Sequence, residues 1–181
     1  MCNTLTAAKD VDGISLASLA AVFTDAPDGF PPCTAAACVT ILEHYKVPIA
    51  GKHVVVIGRS LVVGKPVSMM LLRRNASVTI CHSRTENLQE MSRSADIVIC
   101  ATGRARAYGR EYFRPGQTVL DVGINFDVHG KLCGDVDFDE VEPIVDAITP
   151  VPGGVGTVPT SLPMQHTVAA AAAQRKESLK G

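Results

Sequence analysis

From Gly51 to Val122, short β-branched runs alternate with amphipathic stretches, and this alternation restricts the fold more than any other feature of the chain. The runs are His53 to Ile57, Ser77 to Cys81, Asp96 to Cys100 and Gln117 to Val122; Pro66 to Arg73 and Glu86 to Ser92 lie between them with helical patterning. Continuous apolar strands of this kind are buried on both faces of a parallel sheet. Right-handed crossovers then stack helices on both sides. The predicted class is α/β: a Rossmann-like, doubly wound, mostly parallel sheet.

The flanks are patterned differently. Thr34 to Tyr45 reads as an alanine-rich helix with Thr34 as N-cap and Pro48 as terminator. Residues 1–33 carry the turn-rich Asp25-Ala-Pro-Asp-Gly29 and Pro31-Pro32 and read as irregular structure that needs a cover. Thr149 to Gly156 reads as a loop, and Leu162 to Lys180 as a final helix.

Composition narrows the function. The net charge of −1 gives no field that would draw the protein to nucleic acid, so the expected partner is a small molecule. Apolar runs such as Val54 to Ile57 are far below the roughly 20 residues of a membrane span. Met1-Cys2-Asn3 leads into no basic stretch followed by an apolar run, so secretion is not expected. Six cysteines without a Cys-x-x-Cys pair fit free thiols in a reducing cytoplasm, and the five histidines stand outside zinc-ligand spacing. Asp135, Asp137, Asp139 and Glu140 resemble a metal cluster at first sight. Acids at period two before a helix more often supply capping and dipole charge, and that is the expectation here.

The first strand runs into Gly58-Arg-Ser-Leu-Val-Val-Gly64-Lys-Pro66, directly before a helical pattern. Glycines let backbone approach phosphate oxygens, and the following helix turns unpaired N–H groups toward an anion. An ATP-type loop is excluded, because five residues separate the glycines and proline follows the lysine. The strict Gly-x-Gly-x-x-Gly pattern is also missing, and two glycines at a tight turn remain a plain structural alternative. The second strand adds information. NAD-selective folds place Asp or Glu about 20 residues past the loop to hold the ribose 2′-hydroxyl. Here Cys81-His-Ser-Arg-Thr85 stands instead, where Ser83 and Arg84, with Arg59 nearby, suit a 2′-phosphate. NADP is therefore expected over NAD, although His82 and Arg84 also fit a solvated turn. Ala101-Thr102-Gly103 and Asp121-Val-Gly-Ile-Asn125 close the next two strands, where such folds bind ligands. Gly103 and Gly123 would let a flat ring lie against backbone, or serve only as turn glycines.

Eight strings now occur in order: Lys9-Asp-Val-Asp-Gly13, Pro32-Cys-Thr34, Val56-Ile-Gly-Arg-Ser60 with Val63-Gly-Lys-Pro66, Cys81-His-Ser83, Ala101-Thr-Gly103, Asp121-Val-Gly-Ile-Asn125, Gly134-Asp135-Val136, and Thr149-Pro-Val-Pro-Gly-Gly-Val-Gly156. Together they resemble the bifunctional methylenetetrahydrofolate dehydrogenase/methenyltetrahydrofolate cyclohydrolase family, from Lys9 to about Ala172. The resemblance implies oxidation of 5,10-methylenetetrahydrofolate with NADP, then hydrolysis of the methenyl product to 10-formyltetrahydrofolate. It implies cofactor contacts by Gly58, Arg59, Ser60, Ser83 and Ile124, to which the strand ends add Arg84, Thr102 and Gly103. It implies that Asp12 binds the pterin and that Pro152, Gly153, Gly154 and Val155 wall it from the nicotinamide. A carboxylate suits a pterin because it accepts two adjacent N–H groups; a turn role before Gly13 is the plain alternative for Asp12.

Departures from the family pattern carry expectations too. The family's folate-binding segment, with a Tyr-x-x-x-Lys helix supplying the catalytic lysine, normally stands well before Lys9, where here only Met1 to Ala8 precede. Lys46, just after Tyr45, is not in that context. No catalytic residue is assigned, and low activity is expected of this chain alone unless an N-terminal folate-domain polypeptide joins it. Thr157-Val158-Pro159 replaces the family's usual Pro-Met-Thr. The expected organisation is a folate-domain remnant over 1–35, an NADP-binding domain over 36–149, and a pterin loop with C-terminal helix over 150–181, paired as a homodimer.

Overall fold

The computed structural model describes residues 5–27 and 29–178. In chain order it contains α1 (Leu16–Thr24), α2 (Cys33–His44), β1 (His53–Ile57), α3 (Gly64–Leu72), β2 (Ser77–Cys81), α4 (Leu88–Ser94), β3 (Ile97–Cys100) and β4 (Thr118–Asp121). There follow β5 (Asn125–Phe126), β6 (Leu132–Cys133), the short α5 (Phe138–Val141), β7 (Ala147–Ile148) and α6 (Leu162–Ser178). Five strands form one parallel sheet in the order β2-β1-β3-β4-β7. The chain winds from β1 outward to β2, then returns to place β3 on the other side of β1. That reversal makes the β1/β3 junction the switch point, with a crevice beyond the carboxyl ends of the strands.

Side-chain alternation explains the double winding. Val54 and Val56 of β1, with Ile97 and Ile99 of β3 and Leu120 of β4, join α2 and α3 in one core. The intervening Val55, Ile57, Val98, Cys100 and Val119 join the α4 side in a second core. All ten are buried to within 1% exposure, so a polar side chain on either face would lose its water.

Several boundaries differ from the sequence expectation. Residues 1–33 are not wholly irregular: α1 lies within them, with Ser15 Oγ accepting the Ser18 N–H as its N-cap. Helix α2 starts at Cys33 with Pro32, not Thr34, at the cap position, where its carbonyl accepts the Ala36 N–H at 2.9 Å. It ends before Pro48 because Lys46 turns left-handed at φ 56°. Helix α4 starts two residues late, after a left-handed Asn87. The antiparallel β5–β6 hairpin and the edge strand β7 were not anticipated; each has two residues, too few for a periodicity signal. Residues 179 and 180 of the expected final helix lie outside the described residues, as does Asp28. No described helix is long and apolar enough to cross a membrane.

Candidate functional site

The glycines of the first strand–helix turn are fixed by packing. Gly58 has φ 136°, and a methyl group there would collide with the Ala101 carbonyl at the end of β3. At the start of α3, a Cβ on Gly64 would lie 2.6 Å from the Gly58 carbonyl carbon and 2.9 Å from Arg59 Cα. Strand and helix therefore meet backbone to backbone, the close approach that lets a phosphate reach a helix N-terminus. Ser60 Oγ accepts the Val63 N–H at 3.0 Å and shapes the turn, while Arg59 and Ser60 stay exposed.

After β2, the turn is closed by Thr85: its Oγ1 accepts the His82 N–H at 2.8 Å, and its own N–H donates to the His82 carbonyl. His82 Nδ1 in turn accepts the Arg84 N–H at 3.1 Å, so His82 has the turn role that was the plain alternative for it. Ser83 and Arg84 are exposed at its tip. Among the described residues' ion pairs, none involves Arg59 or Arg84. Two uncommitted guanidinium groups thus stand at the ends of neighbouring strands.

The ends of β3 and β4 are organised by two buried carboxylates. Asp135, fully buried, accepts hydrogen bonds from Thr102 N, Thr102 Oγ1 and Gly103 N on Oδ2, and from Arg104 N and Asn125 Nδ2 on Oδ1. Asp121, 3% exposed, accepts the N–H groups of Gly123, Asp135 and Val136, each at 2.9 Å. Burial pushes Asp121 up to about 6, against the pull of those three donors. Each acid sits against a glycine. A side chain on Gly123 would strike the Asp135 carboxylate, and one on Gly134 would strike that of Asp121. Gly123 is therefore required for seating Asp135. Gly103 differs: at φ 66° it is exposed, with only Asn125 Oδ1 approaching its Cβ direction at 4.0 Å.

The acidic run keeps part of its expected role, since Asp139 and Glu140 lie in the first turn of α5, where their charge meets the helix dipole. Asp137 is at the N-cap position, but its carboxylate turns to Arg106 at 3.2 Å, which also reaches Asp139 at 3.4 Å. Asp135 does no capping at all. These acids brace the β3 loop.

Asp12 is exposed on a turn whose Gly13, at φ 69°, presses on the Phe30–Pro31 backbone. Its neighbour Val11 is held from two sides. His166 Nδ1–H of α6 donates to the Val11 carbonyl at 2.7 Å, its ring stacked on Phe30, and the Cys33 thiol donates to the same oxygen at 3.5 Å. Burial, with Asp12 beside it, pushes that thiol up to about 12, which removes it as a nucleophile. Pro152 and Gly153 are exposed after β7, Gly154 is half-buried, and Val155 is buried in the α2 core. A methyl group on Gly156 would lie 3.8 Å from Ile124 Cδ1, so this loop runs beside the β4 end. A cavity of about 610 Å³ between α2 and the β4–β7 edge shares Gly153 and Gly154 with it, while Gly58 to Ser60, Ser83, Arg84, Thr102 and Gly103 lie outside its lining.

Sequence reasoning passed over Asp121, Asn125, Asp135 and His166 as working residues. The available signal was a glycine next to or near each acid, Asp121-Val-Gly123 and Gly134-Asp135, inside two of the eight strings.

Comparison with known proteins agrees with this geometry. Residues 32–175 match the model for the NAD(P)-binding domain of tetrahydrofolate dehydrogenase/cyclohydrolase. The bifunctional protein FolD of Carboxydothermus hydrogenoformans is 59% identical over 164 residues, 90% of this chain and 57% of that protein. The bifunctional 5,10-methylenetetrahydrofolate dehydrogenase/cyclohydrolase of Thermoplasma acidophilum superimposes with a TM-score of 0.90 at 39% identity, over 97% of this chain and 62% of the other. The Trypanosoma brucei enzyme, solved with NADP cofactor and an inhibitor, gives 0.84 at 34% identity, over 96% of this chain and 60% of the other. The chain thus spans about three-fifths of the length of these relatives. With its parallel sheet, its strand-end glycines and that match over residues 32–175, the chain belongs to the tetrahydrofolate dehydrogenase/cyclohydrolase family, of which it carries the NAD(P)-binding domain.

Proposed function

We propose that this chain is the NADP-holding part of an enzyme that oxidises 5,10-methylenetetrahydrofolate and hydrolyses the methenyl product to 10-formyltetrahydrofolate. The observation that carries the reading is the pair of exposed, uncommitted guanidinium groups of Arg59 and Arg84 beside Ser83, where an NAD-selective fold would hold an acid. Gly58 and Ser60 face the pyrophosphate, the Ser83–Arg84 turn takes the 2′-phosphate, and Thr102, Gly103 and Ile124 border the nicotinamide. NADP, when bound, supplies the hydride acceptor. Asp12 accepts N–H groups of the pterin, and Pro152 to Val155 separate pterin from nicotinamide. Support for that last placement is the approach of the loop to Ile124, whose Cδ1 lies 3.8 Å from where a side chain on Gly156 would begin.

The folate half belongs to the length of the relatives that this chain does not span, carried on the same or another polypeptide. Exposed apolar side chains such as Met164 and Val168 of α6 provide the surface for it, or for a second copy in a homodimer. The five cysteines among the described residues are free and buried, which suits a reducing cytoplasm.

An absorbance assay for NADPH with methylenetetrahydrofolate tests the reading. The 181-residue chain alone should turn over negligibly, since a positioned acid/base group typically contributes about 10²- to 10⁴-fold, and should gain activity when mixed with a relative's N-terminal folate segment. Full activity from the chain alone would overturn the proposed division of labour.

A further inference from the structure

Backbone N–H groups that converge on one point form a nest that binds anions. The loop after β3 has such a nest, from Thr102, Gly103 and Arg104, and it is filled from within: Asp135 occupies it and reaches across to Asn125 on the β4 loop. Tyr108 closes the far side, its hydroxyl donating to Thr102 Oγ1 at 3.3 Å while its backbone pairs with Asp135 and Asp137. The nest is therefore unavailable to a cofactor phosphate. What the internal carboxylate fixes instead is the spacing of two loops, those after β3 and β4, relative to each other. Asp121 seats Asp135 in turn, through the N–H groups of Asp135 and Val136.

We infer that Asp135 is the positioning residue of the nicotinamide side of the cofactor site, holding Thr102, Gly103 and Ile124 in register as a bound anion would, without touching the cofactor itself. This rests on the NADP reading above. The adenosine half is held separately, by Arg59, Ser83 and Arg84 at the ends of β1 and β2, and it shares none of these hydrogen bonds. Asparagine at 135 would point an NH₂ group at loop N–H donors and break the nest while leaving volume and the β1–β2 end unchanged.

The test compares two ligands, NADP and 2′,5′-ADP, which keeps the 2′-phosphate and adenosine but lacks the nicotinamide. Calorimetric titration of the whole chain should show Asp135→Asn weakening NADP by about tenfold or more, the scale of a disrupted charged hydrogen-bond centre, with 2′,5′-ADP unchanged. Asn125→Ala removes one donor and should give a smaller loss, again for NADP only; it carries the test if Asp135→Asn does not fold. A merely structural role would lower both affinities together, and equal losses, or none, would overturn the inference. Wild-type chain that binds neither ligand would overturn the NADP reading and this inference with it.

Discussion

Asp121 shows how one residue's environment becomes a measurable property. It is buried, it lies near a second carboxylate, and burial raises it from the usual 3.8 to about 6. Because the folded value lies above the unfolded one, the neutral form is favoured by folding. Its contribution to stability is full below about pH 3.8 and is lost as pH rises through about 6, amounting to at most about 3 kcal/mol for this buried group. Carboxyl NMR of the labelled chain should therefore show Asp121 titrating near 6, with neighbouring Gly123 and Val136 amides shifting together. A midpoint at or below 4 would mean that the three N–H donors outweigh burial. This role was not visible in the sequence, because a partner 14 residues away, Asp135, reaches Asp121 only once the β5–β6 hairpin folds back.

At the scale of elements, the sequence announced the strands that alternate with helices and blurred those that do not. β1, β3 and β4 were legible because each holds a continuous apolar run buried on both faces, whereas the edge strand β2, with Ser77 and Thr79 in it and only Cys81 buried, was legible from its β-branched residues. α1 was not, since the turn residues after it dominated the local reading; its end comes instead from a left-handed Asp25. Glycine spacing was legible as a turn but ambiguous in purpose, and packing resolves the purpose. Gly64 is the sharper case, because the atoms a side chain would meet are backbone and cannot rotate away. Gly64→Ala should force α3 off β1 and cost about 1–3 kcal/mol, the usual scale of overpacking, in urea unfolding, together with weaker NADP binding. An unchanged midpoint would show that the strand–helix turn has slack.

For the whole molecule, the candidate residues could be named one by one along the chain and their assembly could not. Ser83 and Arg84 could be read as a phosphate-binding pair from the acid they replace, yet only the fold shows that Arg59 comes from the neighbouring strand and that neither guanidinium is tied to a carboxylate. His166, near the far end of the sequence, holds the loop of Asp12 near its start, a contact across 155 positions that no local pattern announces. Asp137, expected among the capping acids, turns its carboxylate to Arg106, which also reaches Asp139 in the first turn of α5. Arg59 follows β1, Ser83 and Arg84 follow β2, and Thr102 and Gly103 follow β3, beside a crevice built by the reversal of strand order between β1 and β3. The central claim is that this crevice selects a 2′-phosphorylated dinucleotide, and calorimetric titration with NADP and NAD side by side tests it most directly. NADP should bind more tightly, and Arg59→Ala should cost NADP about 1–3 kcal/mol, the scale of a lost charged hydrogen bond, while leaving NAD nearly unchanged; equal affinities, or a preference for NAD, would contradict the account.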